Sequence, residues 1–386
     1  MTMDRESPLD AARKLAPQIR AAADEGEALR EVPRALFEAI FDAGLVHMAL
    51  PRTIGGAELD LPTYVQVIEE LGKADASTAW TVNQLAIFGT YASRMPVEVA
   101  RELWIDTPRG CVANTPAATA TAVVVPGGYR VTGRQGFSTG SRNAAWVAAH
   151  CQVIENGQKR MEDGAPEARY LFVPVAEAEL LDTWKVRGMR ATGTHHFAVK
   201  DVFVPAHRTV LSATAKLREP GPLYKIPRTL CFASGDAAVA LGMARSCLIA
   251  FMELAGSKTP RSTPGLLREQ SMTQVNVGQA EAALRTGRAF LMEAVREIWN
   301  AALNDAVTLD ERANLRLATT HGIRLAAQVI DTVYNAAGAT AAYEDHLLQR
   351  HFQDIHVITQ HLQGRLAHYE LVGRYWLGLS IDQARL

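Results

Sequence analysis

The chain has 386 residues, 48% hydrophobic and 21% charged, with a formal net charge of −1. That length can bury two or three cores, and the near-neutral, interspersed charge supplies no field to draw a nucleic acid or an anionic membrane. The first thirty residues lack a basic segment followed by an apolar core, and no charge-free apolar run reaches about 18 residues, so a cytoplasmic protein without a membrane span is expected.

From Pro8 to about Ile105 the pattern is helical, with apolar residues three and four apart in Val32 to Ala43, Pro62 to Lys73 and Ser77 to Tyr91. Asp75 and Ser77 offer caps, and Pro51 to Asp60 reads as a loop around Gly55 and Gly56. From Gly110 to about Val210 the texture becomes short β-branched runs: Thr121 to Val125, Tyr129 to Thr132, Trp146 to Val153, Tyr170 to Val175 and His196 to Val204. Turn signals at Pro126-Gly127-Gly128 and Asn156-Gly157 predict an antiparallel β domain, with Glu155 to Ala168 a polar surface loop. After Pro227 helical periodicity returns in Ser234 to Ala255, Leu267 to Leu303, Glu311 to Ala337 and His361 to Leu379, the turns of a bundle falling between them. An α+β chain in three parts is expected, a helical domain over 1–108, a β domain over 109–215 and a helical bundle over 216–386. Cys111, Cys151, Cys231 and Cys247 form no CxxC pair and read as buried thiols.

Trp184 to Thr194 followed by Val202-Phe203-Val204-Pro205 resembles the signature that closes the β domain of acyl-CoA dehydrogenases. Its companions stand in order along the whole chain: Ile54-Gly55-Gly56-Ala57, Gly136-Phe137-Ser138-Thr139-Gly140, then Ala336-Ala337-Gly338-Ala339 ahead of Arg350 and Asp354. The resemblance implies that fold, a flavin lying against Phe137, Ser138 and Thr139, and a wall from Asn114 and Thr115. An aromatic ring at Phe137 suits the flavin face, and a hydroxyl at Ser138 or Thr139 suits the N5 edge.

Dehydrogenation needs a carboxylate to take a weakly acidic proton beside a thioester. The family's Tyr-Glu-Gly-Thr motif is replaced here by a stretch from Arg350 to Gly364 that holds no glutamate, and Thr229 to Ala233, its second place for the base, has no carboxylate either. A histidine at the position of His361 instead is similar to a branch of two-component flavin monooxygenases acting on phenols such as p-hydroxyphenylacetate, indoles and sulfur heterocycles. The resemblance implies reduced flavin, FAD or FMN, delivered by a separate NAD(P)H-flavin reductase, and O2 captured as a flavin hydroperoxide that hydroxylates or epoxidises a small aromatic compound. It also implies a homotetramer in which Arg261, Ser262, Gln274 and Gly338 meet the flavin tail of a neighbouring subunit. Some phenol hydroxylases of the branch carry a histidine where Phe88 stands, which favours an indole over a phenol.

His346, His351, His356 and His361 recur every five residues, a step of about 140° on a helix, so they cannot converge on one metal ion. His361 is the candidate proton carrier, with His356 the alternative. Asn83, Phe88, Tyr91, Trp184 and His356 are candidates for the substrate pocket. Two other readings stay open: an acyl-CoA dehydrogenase or flavin oxidase using Asp354 or His361 as base, and a non-catalytic flavin-binding scaffold.

Overall fold

The computed structural model describes residues 6–261 and 263–386. Six helices open the chain: α1 (Pro8–Ala21), α2 (Ala23–Leu29), α3 (Arg34–Asp42), α4 (Leu61–Ala74), α5 (Ala76–Phe88) and α6 (Val97–Arg101). Asp60 caps α4 by accepting from the Thr63 amide at 2.8 Å, and Asp75 caps α5 by accepting from the Thr78 amide at 2.7 Å. Every residue of α5 is buried, and the side chains of Thr81, Asn83 and Gln84 find partners inside the protein.

The central region contains β1 (Val112–Ala113), β2 (Ala120–Val125), β3 (Gly128–Ser138), β4 (Trp146–Glu155), β5 (Gln158–Lys159), β6 (Met161–Glu162), β7 (Ala165–Pro166), β8 (Ala168–Pro174), β9 (Glu179–Leu181), β10 (His195–Pro205) and β11 (Thr209–Leu211). The main sheet runs β11-β8-β4-β2-β3-β10-β9. It is mixed, which corrects the antiparallel expectation: β4 pairs parallel to both β1 and β2, with Ala120 opposite Cys151. The cause is topological. One edge of β3 is taken by β2 and the other by β10, so the chain crosses the sheet end through residues 139–145 and returns beyond β2. The stretch expected to be a polar loop instead folds into β5 and the β6–β7 hairpin.

Five helices complete the chain: α7 (Arg228–Ser257), α8 (Ser271–Leu303), α9 (Leu309–Ala337), α10 (Leu347–Ile358) and α11 (Ala367–Trp376). By length and composition α7 is apolar enough to cross a membrane, yet it packs against α4, α5, α8 and α9 as the central helix of the fold. Helical periodicity from His361 onward misplaces the start of α11. The preceding helix ends at Ile358, and His361 lies in the turn between α10 and α11. All four cysteines are free and buried.

The four evenly spaced histidines meet four environments. His346 caps α10, His351 is buried against Ser246 of α7, His356 faces Asp331 at 3.0 Å, and His361 faces Asp236. Burial pushes His351 down to about 3. The folded pKa lies below the ordinary value of about 6.5, so the unfolded chain takes up the proton first as pH falls. His351 therefore costs nothing above about pH 6.5 and withdraws up to about 1.4 kcal/mol per pH unit below it, until about pH 3. Urea unfolding at pH 7 and pH 4.5 is expected to show a smaller acid loss in His351→Gln than in the wild type; equal losses would contradict this assignment.

Candidate active site

A cavity of about 310 Å³ opens where α5, the crossover after β3, the Trp184–Thr194 segment and the turn after α10 meet. That volume is at the lower end of pockets that hold organic ligands. Its walls are aromatic and aliphatic, from Trp80, Phe137, Trp184, Met189, Val357 and Ile358. No carboxylate lines it among the described residues.

Phe137 reaches this position through a β-bulge. Pairing passes from Ser138 opposite His195 to Gln135 opposite Phe197, which leaves Gly136 and Phe137 against His196. Phe137 takes a left-handed φ of 60° and its side chain is 60% exposed, a conformation costly for a bulky residue and a mark of function when it stands at a cavity mouth. Trp184 stands edge-on to it at 6.4 Å, held by bonds from its indole N–H to the Met189 carbonyl at 2.9 Å and from its amide to His195 Nδ1 at 3.2 Å. Beyond Phe137 a second groove of about 360 Å³ runs past Thr115, Thr119, Arg134 and His196.

Hydroxyls line the other side in a chain. Thr192 donates to the Met189 carbonyl at 2.9 Å, and Thr194 lies 2.7 Å from Thr192 and 2.9 Å from Thr139. Each hydroxyl has one proton, so Thr194 donates to Thr192 and Thr139 donates to Thr194. Thr139 therefore turns lone pairs toward the cavity. Ser138 is fully buried, does not line the cavity, and its hydroxyl has no hydrogen-bond partner among the described residues, so the choice between the two falls to Thr139.

Met189 is fixed from α10. A Cβ on Gly188 would lie 2.2 Å from the Gln353 carbonyl oxygen, and Asp354 accepts a hydrogen bond from the Met189 amide, whose residue has a left-handed φ of 53°. Burial pushes the Asp354 carboxyl well above the usual carboxylate range. It does not line the cavity, which removes it as a candidate base.

His361 does line the cavity, edge-on to Trp80 at 4.9 Å. Its Nδ1 is 3.2 Å from Oδ2 of the fully buried Asp236, an ion-pair distance with poor hydrogen-bond alignment, which leaves Nε2 for the cavity. Oδ1 of Asp236 accepts from the amides of Asn83 at 2.9 Å and Gln84 at 3.0 Å, and Tyr64 donates to Asn83 at 2.8 Å. Gly235 permits this approach, since a Cβ there would stand 1.9 Å from Asn83 Oδ1. Behind them lies Arg316, whose guanidinium burial lowers to about 10 against the opposing pull of Asp236.

Of the residues expected at the site, Asn114, Phe137, Thr139, Trp184 and His361 line the cavity, and Thr115 lines the adjoining groove. Asn83 lies one layer behind. Phe88 and Tyr91 do not line the cavity: they pack with Tyr170 and Phe172 in a separate aromatic core, where the Arg228 guanidinium sits 3.6 Å from the Tyr91 ring centroid. His356 lies on the outer side of α10 and is displaced as the alternative to His361. Arg261, Gln274 and Gly338 sit at the far end of α7 and its neighbours, and 22 residues of helix, about 33 Å, separate Asp236 from Lys258 beside Gly338. They do not reach this chain's own cavity, and Ser262 lies outside the described residues.

Sequence reasoning missed Trp80, Gln84, Thr194 and Asp236. Asp236 had a signal: it is the lone carboxylate in the apolar run from Thr229 to Ala244, three residues past the family's second position for the base.

Residues 3–98 match the acyl-CoA dehydrogenase N-terminal domain and residues 234–365 the acyl-CoA dehydrogenase C-terminal domain. The chain is 29% identical to an indole-3-acetate monooxygenase of Pseudomonas putida, covering 93% of this chain and 90% of that protein. It is 26% identical to the flavin-dependent monooxygenase oxygenase subunit HsaA of Mycobacterium tuberculosis, covering 92% and 90%. Among solved structures, XiaF from Streptomyces sp. in complex with FADH2 and glycerol superposes with a TM-score of 0.89 at 26% identity, covering 97% of this chain and 96% of that one.

Removing the Asp236 carboxylate strands the amides of Asn83 and Gln84 and leaves Arg316 without its counter-charge. Asp236→Ala is expected to lower stability by about 3–5 kcal/mol in chemical denaturation; a loss under about 1 kcal/mol would show that the buried charge is not integral to the fold.

Proposed function

This chain belongs to the acyl-CoA dehydrogenase family and is a flavin-dependent oxidoreductase, and from that premise we propose that it is the oxygenase component of a two-component monooxygenase acting on a small aromatic or heteroaromatic compound. The observation that carries this reading is a cavity whose wall, among the described residues, holds no carboxylate and presents His361, backed by Asp236. Such a wall offers no carboxylate base for dehydrogenating a thioester. It suits a reaction in which a substrate, O2 and reduced flavin give an oxygenated product, water and oxidised flavin.

The reduced flavin, FAD or FMN, supplies two electrons and activates O2 when bound. The chain's residues fit such a ring: Phe137 and Trp184 provide aromatic faces, and Thr139 offers lone pairs to an N–H, which reduced flavin carries at its central ring. Arg134 and His196 line the groove beyond Phe137, where they would hold an anionic tail. Trp80, Val357 and Ile358 keep water from the reacting edge, and His361 moves a proton at Nε2. Phe88 does not line the cavity, so the preference for a neutral heteroaromatic such as an indole does not rest on that position. The name of the Pseudomonas putida relative supports that class, and the oxygenase-subunit name of the mycobacterial one supports a separate flavin reductase. A homotetramer would bring Arg261, Gln274 and Gly338 of one copy toward the flavin tail of another.

Mixing the protein with chemically reduced flavin, O2 and either an indole or a phenol is expected to give oxygenated indole. Hydrogen peroxide as sole product, or turnover of phenols alone, would overturn the reading. His361→Ala is expected to divert most reduced flavin to peroxide, and Thr139→Val to weaken reduced-flavin binding about tenfold while changing oxidised-flavin binding less.

A further inference from the structure

The turn that presents His361 is gripped from behind by one stripe of α9. Arg316, Thr320 and Arg324 stand four residues apart and share a helical face. Arg316 donates to the Gln363 side-chain oxygen, and Thr320 Oγ1 lies 3.4 Å from the Gln363 carbonyl oxygen and 3.1 Å from His368 Nδ1. Arg324 makes the widest contact: its Nε donates to the Gly364 carbonyl at 2.7 Å and its Nη2 to the Thr359 carbonyl at 3.2 Å.

Those two carbonyls bracket His361. Thr359 closes the C-terminus of α10, where backbone carbonyls lack intrahelical partners and the helix dipole favours a cation. Gly364 ends the short turn after His361 and packs against Ile323, the residue before Arg324. A guanidinium holds both because its donors form a rigid fork; an ammonium is a point charge and cannot reproduce that spacing. Arg324 forms no ion pair with a carboxylate among the described residues, and its half-buried guanidinium spends its hydrogen bonds on this turn.

We propose that Arg324 is a positioning residue for His361: bonded to the carbonyls of Thr359 and Gly364, it fixes the turn so that the imidazole stays between Asp236, Trp80 and the cavity. The proposal rests on the reading of His361 as the proton carrier of the site. Arg324 does not line the cavity and acts only through the turn.

The test combines two readouts on the full-length protein with Arg324→Met, Arg324→Lys, His361→Ala and the Arg324→Met/His361→Ala double variant. Hydrogen–deuterium exchange without flavin is expected to be about tenfold faster over residues 359–366 in Arg324→Met, with α7 unchanged, and intermediate in Arg324→Lys. Product formed per reduced flavin oxidised is expected to fall about fivefold or more in Arg324→Met, less in Arg324→Lys, and no further when Arg324→Met is added to His361→Ala. Unchanged exchange over the turn, or a loss that adds in full to that of His361→Ala, overturns the positioning role alone. Full coupling in His361→Ala overturns the reading of His361 and the proposal with it.

Discussion

A single buried carboxylate organises the helical half of this protein. Taking an ionised carboxylate out of water costs several kcal/mol unless charges and donors surround it, and Asp236 is wholly buried. The answer comes from separate parts of the chain: amides of Asn83 and Gln84 from α5, the imidazole of His361 from the turn after α10, and the cation of Arg316 from α9. None of these elements can shift without exposing that charge to an unpaired interior. The cavity is the space left in front of this network, and its rigidity follows from what lies behind it.

The β region contributes the opposite wall by a different constraint. Because β4 returns beside β2, the chain must cross the end of the sheet just after Thr139. The bulge before that crossing throws Phe137 outward while Thr139 stays on the hydroxyl chain. The helix α10 then relates the two walls. Its body holds the Met189 turn through Asp354, and its end carries His361, so their separation is set by a little over one helical turn.

The three-part order, the glycine-rich signatures and most helices were legible because they depend on local periodicity and turn chemistry. Phe137, Thr139, Trp184 and His361 were legible through the resemblance. What stayed hidden depends on long-range approach. The parallel pairing of β4 needs knowledge of which strand edge is already occupied, and Glu155 to Ala168 is polar enough to read as a loop because its short strands are largely exposed. Phe88 and Tyr91 look like pocket residues on a helix–turn segment, but the side that faces Tyr170 draws them into a separate core. Asp236 was visible as an isolated charge in an apolar helix, and only tertiary contact shows that it faces a histidine 125 positions later.

That contact also explains how one scaffold departs from carboxylate chemistry without discarding the carboxylate. A carboxylate in the cavity wall would act directly as base, with the low proton affinity ordinary for its kind. Here the carboxylate sits one layer back, and an imidazole occupies the wall. The Asn83 and Gln84 amides engage the oxygen of Asp236 that does not face His361, which directs the other oxygen at Nδ1 and leaves Nε2 for the cavity. On the far wall the hydroxyl chain has the same logic, since bonding Thr192 to a backbone carbonyl sets the direction of every proton up to Thr139. Both walls thus have their donor and acceptor roles assigned by fixed neighbours, Asp236 behind the cavity and the Met189 carbonyl at its edge, a preorganisation suited to excluding bulk water.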